Sequence, residues 1–160
     1  MKKDIQISYE QYQSSNELAE IEKELYLKAK EARENAYAPY SQFFVGCAVL
    51  LENGDIHVGN NQENAAYPSG LCAERTAMFW ISANFPDENI EKVFVVGGPK
   101  ELSLTRAPIP PCGACRQSMM EYESKQNKNI TLYFANLNDE VIKVNAIKDL
   151  LPFYFDGTFL

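Results

Sequence analysis

Four residues in two short stretches carry the chemistry that this sequence displays. Leu71-Cys72-Ala73-Glu74-Arg75-Thr76-Ala77 supplies a cysteine with a glutamate two positions on. Pro111-Cys112-Gly113-Ala114-Cys115-Arg116 supplies a Cys-x-x-Cys. Three thiolates suit zinc, which takes sulfur ligands in tetrahedral geometry, and three protein ligands leave the fourth position open to water, as a catalytic site requires. Zinc draws the pKa of such a water down towards roughly 7 in favourable sites. Three thiolates donate more charge than three histidines, so this metal needs a base beside it, and Glu74 is the candidate. Residues i and i+2 do not share a face of a regular helix. Cys72 and Glu74 therefore converge on one metal only at a helix start, where the backbone changes direction. Helix starts also stabilise anions and depress thiol pKa values. Gly70 ahead of Cys72 and Pro110-Pro111 ahead of Cys112 give both stretches that setting.

The surrounding pattern predicts the elements that bring these residues together. A helix over residues 17–35 follows a cap at Ser15-Asn16, with Leu18, Ile21, Leu25, Ala29 and Ala32 on its apolar face. Pro39 bars its continuation, and Tyr37-Ala-Pro-Tyr-Ser reads as a loop. Residues 44–51 and 55–59 form a hairpin about Asn53-Gly54. Cys47, in its first strand, reads as an inert buried thiol; His57, the single histidine, reads as a packing or solvent-facing residue. The metal helices span 72–83 and 113–123. Between them lie a strand at 92–96, closed by Gly97-Gly98-Pro99, and a Pro-containing loop over 99–110. Strands at 130–135 and 140–144 and a short helix at 147–151 complete the chain. Residues 1–15 read as a loosely ordered arm, or as a short strand about Ile5 and Ile7. This order implies an α/β fold in one domain over residues 1–160: a three-layer sandwich of a five-stranded mixed sheet with helices on both faces.

Composition narrows the partners. The net charge of -7, with no basic cluster larger than a pair, argues against long nucleic acid. No run of about eighteen apolar residues marks a membrane span. The opening Met1-Lys-Lys-Asp-Ile-Gln-Ile lacks a signal peptide's apolar stretch. Four cysteines without a leader, two of them in a Cys-x-x-Cys, fit metal binding in a reducing cytoplasm better than disulfides.

Cys-Ala-Glu followed by Pro-Cys-x-x-Cys is the zinc deaminase signature in its three-cysteine form. From about Ala29 to Phe155 the chain resembles the small homotetrameric cytidine deaminases of pyrimidine salvage. Tyr37-Ala-Pro-Tyr-Ser, Phe44-Val-Gly, Asn61-Gln-Glu-Asn-Ala and Leu150-Leu-Pro stand in the expected order. The resemblance implies one Zn²⁺ per chain on Cys72, Cys112 and Cys115. Glu74 would serve as both base and acid in hydrolysis of the C4–amino bond of cytidine or deoxycytidine. A free nucleoside, which carries no phosphate, also suits an acidic protein. The polar run Asn60 to Asn64 reads by itself as a turn or as a sugar site. The resemblance gives Asn61 and Glu63 the ribose 3′-hydroxyl. It places Phe43 against the base, with Phe44 on the opposite side of the strand. It places Ala65, Tyr67 and Ala73 near substrate, and Arg75 on the thiolates, where its charge would offset the -1 of three thiolates and Zn²⁺. The aromatic tail of residues 153–160 could cover its own domain or a neighbour; the resemblance implies the neighbour, in a homotetramer with shared active sites. Phe155 is the closest match for the residue that reaches across, with Phe153 the alternative.

Besides a catalytically retired binding subunit, against which the presence of every expected catalytic residue argues, two rival readings are open on the residues. A structural zinc module would need a fourth protein ligand, from Cys47, His57 or Glu74. A deaminase of another amino-pyrimidine, such as blasticidin, would share the metal motif and differ at the sugar-binding run.

Overall fold

Alternation along the central strands builds two cores on one sheet. The computed structural model describes residues 1–100 and 107–160, so residues 101–106 of the expected 99–110 loop lie outside the described residues. Among the described residues six strands, β1 (Glu10–Tyr12), β2 (Phe43–Leu51), β3 (Ile56–Asn60), β4 (Ile90–Pro99), β5 (Thr131–Ala135) and β6 (Val141–Val144), lie in the order β1-β6-β5-β4-β2-β3. The β4–β5 pair is parallel and the others antiparallel, which makes the sheet mixed. Three helices, α1 (Glu20–Glu34), α2 (Ala73–Asn84) and α3 (Gly113–Gln126), cover it. In β2, Cys47, Val49 and Leu51 face α2 and α3, while Ala48 and Leu50 face α1. β4 divides Val93 and Val95 from Phe94 and Val96 in the same way, and β5 divides Leu132 and Phe134 from Tyr133 and Ala135. Strands buried on both faces read as continuous apolar runs, which is why residues 92–96 carry no polar alternation.

The expected count of five strands is corrected to six. The additional strand, Glu10–Tyr12, pairs with β6 through Tyr12↔Val141, Gln11↔Ile142 and Glu10↔Lys143. Its three residues are too few to show a period, and ladder hydrogen bonds, Tyr12 packed against the α1-side core and a Lys143–Glu10 ion pair of 2.7 Å hold it. Ile5 and Ile7, the residues that suggested a strand, lie outside it and are exposed.

The first helix also starts later than expected. Ser14 and Glu17 form a reciprocal cap around a separate single turn, Ser15–Glu17. Leu18 and Ala19 are then extended, and α1 begins at Glu20. Leu25, Ala29 and Ala32 are buried as the periodicity predicts and Ile21 is half-buried, while Leu18 is buried from the extended segment ahead of the helix. Residues 147–150 form a short 3₁₀ turn.

Two glycines set how closely the helices approach the sheet. A Cβ on Gly46 would stand 1.9 Å from the Ala29 carbonyl oxygen of α1. A Cβ on Gly59 would stand 2.7 Å from Ala77 N and 2.8 Å from Ala73 O of α2. Gly59 thus lets the first turn of α2, which carries Glu74, sit directly on β3.

Candidate metal centre and substrate cavity

Cys72 is the residue before α2 and Cys112 the residue before α3, both with extended backbone. Neither sulfur caps its own helix, so both are free to ligate. The helices still begin normally, with Thr76 N–H and Arg116 N–H donating to the Cys72 and Cys112 carbonyls at 3.0 Å. Cys115 stands in the first turn of α3 and is fully buried. The three Sγ atoms all lie within 4.8 Å of one another. Cys72–Cys112 is 3.9 Å and Cys112–Cys115 is 3.4 Å. A tetrahedral zinc with arms of ~2.3 Å separates its sulfurs by roughly 3.8 Å. The trio therefore fits zinc by donor type and by spacing.

The thiols of Cys72 and Cys115 are shifted in opposite directions. The Cys72 thiol is brought down to about 5, first by the hydrogen bond from Cys115 and then by Arg75, against the opposing effect of burial. Arg75 Nη2 donates to Cys72 Sγ at 3.7 Å. Cys115 is pushed upward, first by giving its hydrogen bond to Cys72 and then by burial. The Cys72 charge in turn raises the guanidinium pKa of Arg75.

Glu74 is 3% exposed in the first turn of α2. Burial raises its carboxyl to about 6, and the neighbouring Cys72 charge adds to the rise. A carboxylate poised near neutrality can both take and return a proton. Cys47 is also buried, in the core beneath α2, and burial and then Glu74 raise its thiol pKa. Among the described residues the metal-ligand group is Cys72, Cys112 and Cys115, and Cys47 is not in it. His57 packs against Phe85 (4.7 Å between ring centroids) and Trp80 (5.1 Å).

A cavity of about 430 Å³ runs from Cys72 and Arg75 to Asn61, Glu63 and Tyr67, and Tyr40, Ser41 and Leu71 also line it. Asn61 Oδ1 accepts from Val45 N–H at 2.8 Å and its Nδ2 donates to the Phe43 carbonyl at 2.9 Å. Glu63 accepts from Tyr40 N–H at 2.9 Å, from Ser41 N–H at 3.2 Å and from the Ser41 hydroxyl. Both side chains thus grip residues 40–45 while facing the cavity.

Phe43, Ala65, Ala73 and Phe155, the other residues expected to meet substrate, do not line this cavity. Phe43 lies on the α2/α3 side of β2, beside Val45 and Gly97, and Phe44 lies on the α1 side with the Arg33 guanidinium 5.7 Å from its ring. Ala73 is buried under the first turn of α2, and Ala65 is exposed in the loop before it. Phe155 is 56% exposed, stacked on Phe159 at 5.5 Å, and its carbonyl accepts from Gln117 of α3 at 2.8 Å. Phe153 is 94% exposed. Sequence reasoning missed Tyr40 and Ser41. They belong to the Tyr37-Ala-Pro-Tyr-Ser loop, whose composition announces a turn and nothing about the glutamate it meets. Arg116, legible only as a neighbour of Cys115, donates to the Pro111 carbonyl at 2.9 Å and the Leu150 carbonyl at 3.0 Å.

The mixed α/β fold that carries these thiols is shared with solved proteins. The chain is 38% identical to cytidine deaminase from Burkholderia pseudomallei, whose crystal structure it matches with a TM-score of 0.71 over 82% of this chain and 97% of that one. It is 39% identical over 125 residues to a cytidine deaminase of Halalkalibacterium halodurans, covering 78% of this chain and 86% of the relative. It is 40% identical over 133 residues to one of Sporosarcina psychrophila, covering 83% and 89%. Residues 19–130 match the cytidine and deoxycytidylate deaminase zinc-binding region, and the chain belongs to that family.

Proposed function

We propose that this chain converts cytidine or deoxycytidine to the uracil nucleoside and ammonia, as a salvage enzyme of the cytoplasm. One observation carries the reading: Cys72 lines a cavity of nucleoside size and stands at zinc spacing from Cys112 and Cys115, with the buried Glu74 carboxyl beside the thiols. A zinc ion on Cys72, Cys112 and Cys115 would supply Lewis acidity, lowering the pKa of water at the site. Glu74 takes a proton from the attacking water as its oxygen adds to C4 of the base. It delivers that proton to ring N3, then carries the proton of the new C4 hydroxyl to the amino group, which departs as ammonia as the C4 carbonyl forms. Burial keeps Glu74 within reach of both protonation states at neutral pH. Arg75, on the Cys72 sulfur, offsets the excess negative charge of the trio.

Asn61 and Glu63 hold the sugar. A carboxylate offers about four acceptor sites, and Glu63 uses three of them within the chain, leaving one on Oε1 for a ribose hydroxyl. Phe43 faces the base, and Ala65, Tyr67 and Ala73 lie near the nucleoside. A homotetramer would cover the exposed Val58, Phe79 and Trp80, and Phe155 would reach a neighbouring site. All four cysteines are free thiols, in keeping with a reducing compartment.

The test is the ultraviolet absorbance change on mixing the purified protein with cytidine, with zinc counted by mass spectrometry and mass in solution measured by light scattering. Conversion to uridine with about one zinc per chain is expected. Full zinc without conversion of cytidine or deoxycytidine overturns the reading.

A further inference from the structure

The Ser41 hydroxyl makes two contacts at once. It donates to Glu63 Oε1 and accepts from the Phe43 N–H at 3.0 Å. Glu63 Oε1 is also the oxygen with a remaining acceptor site, since Oε2 already receives the Tyr40 and Ser41 N–H groups. The hydroxyl therefore stands between the carboxylate assigned to the sugar and the backbone of the aromatic assigned to the base, on the wall of the same cavity.

We propose that Ser41 is a positioning residue for the substrate's sugar: its hydroxyl fixes the rotation of the Glu63 carboxylate, so that Oε1 presents its free lone pair to the 3′-hydroxyl in register with Phe43. This rests on the assignment of Glu63 to the ribose. Two backbone donors hold Oε2, and a carboxylate held by one oxygen can still pivot about that oxygen. The Ser41 bond restrains the second oxygen. It is also the largest influence holding the Glu63 carboxyl below its usual range, ahead of either backbone N–H. A charge-assisted bond at this place has a directional role that the backbone contacts do not duplicate.

The role differs from loop support in a measurable way. Loop support would affect every substrate alike, whereas a positioning role through Glu63 acts only on substrates that carry the 3′-hydroxyl. Steady-state kinetics of wild type, Ser41→Ala, Ser41→Thr and Glu63→Gln are measured on cytidine and on 3′-deoxycytidine, with zinc content and Tm recorded for each variant. Ser41→Ala is expected to lose about five- to tenfold in kcat/KM on cytidine, carried by KM, and less than about twofold on 3′-deoxycytidine. Ser41→Thr, which restores the hydroxyl, is expected to recover most of the loss. Equal losses on both substrates, no loss on either, or failure of threonine to restore any activity overturns the role. Glu63→Gln separates the two levels. If it discriminates the substrates and Ser41→Ala does not, only Ser41 is wrongly placed. If Glu63→Gln loses equally on both, the sugar assignment falls and the Ser41 role falls with it.

Discussion

The two faces of the sheet use the same strands for different ends. On the α1 face, Leu25, Tyr26 and Ala29 pack on Ala48, Leu50, Phe94, Val96 and Tyr133, and the helix runs across the sheet as a lid. On the opposite face, Ala77, Met78, Ile81, Met119 and Met120 do the same work, but two helices begin beside one another and bring Cys72, Cys112 and Cys115 together. A helix start alone is not the difference. α1 has one too, at Ala19, with no side-chain cap and acidic residues in its first turn. What separates the faces is convergence: two N-termini, each favouring negative charge, meet with thiols before and within their first turns. Substitutions on the packing face should then change stability and leave turnover alone, whereas substitutions at the converging helix starts should change turnover first.

The largest effect expected from breaking that contrast is on the thiol face. Glu74→Gln keeps the volume and removes the base. Turnover of cytidine should fall by at least ~10²–10⁴-fold, the range for one general acid–base group, because the same carboxylate serves twice. Zinc content and Tm should stay close to wild type, since Glu74 is buried and glutamine fills the same space. Zinc analysis and thermal melts run beside the assay check this. A variant that loses zinc together with activity would make Glu74 a ligand, and the site a closed one.

On the packing face, Leu25→Ala should do the opposite. Leu25 is fully buried against the sheet under α1. Its truncation should cost about 2–5 kcal/mol of stability, set by how far the α1 layer can close on the cavity. Below the lowered Tm, kcat on cytidine should remain near wild type, because α1 contributes no side chain to the thiol trio or to the cavity wall. Urea titration and initial rates at low temperature separate the two quantities.

The same contrast explains what could be read from the sequence. The α1 face was legible because period and burial coincide, and Leu25, Ala29 and Ala32 fell where their spacing put them, with Ile21 half-buried on the same face. The thiols were legible for a different reason: few arrangements other than a metal site place Cys-x-Glu and Pro-Cys-x-x-Cys at helix starts. The sixth strand escaped because three residues carry no period, and their pairing with β6 depends on partners some 130 positions away. Ser41 escaped because its partners, Glu63 and the Phe43 amide, are defined by how a loop closes. Side chains that act through backbone groups leave no residue pattern to find.

The smallest effect sharpens the comparison through a carboxylate that the packing face holds against the sheet. Glu22 of α1 pairs with Lys92 of β4 at 2.8 Å and accepts from the Tyr133 hydroxyl at 3.1 Å. Burial works to raise its carboxyl, but the Lys92 ammonium and the Tyr133 hydroxyl together overcome this and leave it below the usual range. A carboxyl lowered in the folded state adds stability above its unfolded pKa, near 4.5, and that stability is lost as pH falls through the lower folded value. Glu22→Gln should therefore cost on the order of 1 kcal/mol at pH 7, a modest amount because the pair is only partly withdrawn from water. The gap to wild type should close below about pH 4. Urea unfolding from pH 3 to 8 on both proteins measures it. A gap independent of pH would show that Glu22 acts by packing, as its neighbours on α1 do, and that this face carries no electrostatic contribution from the ion pair.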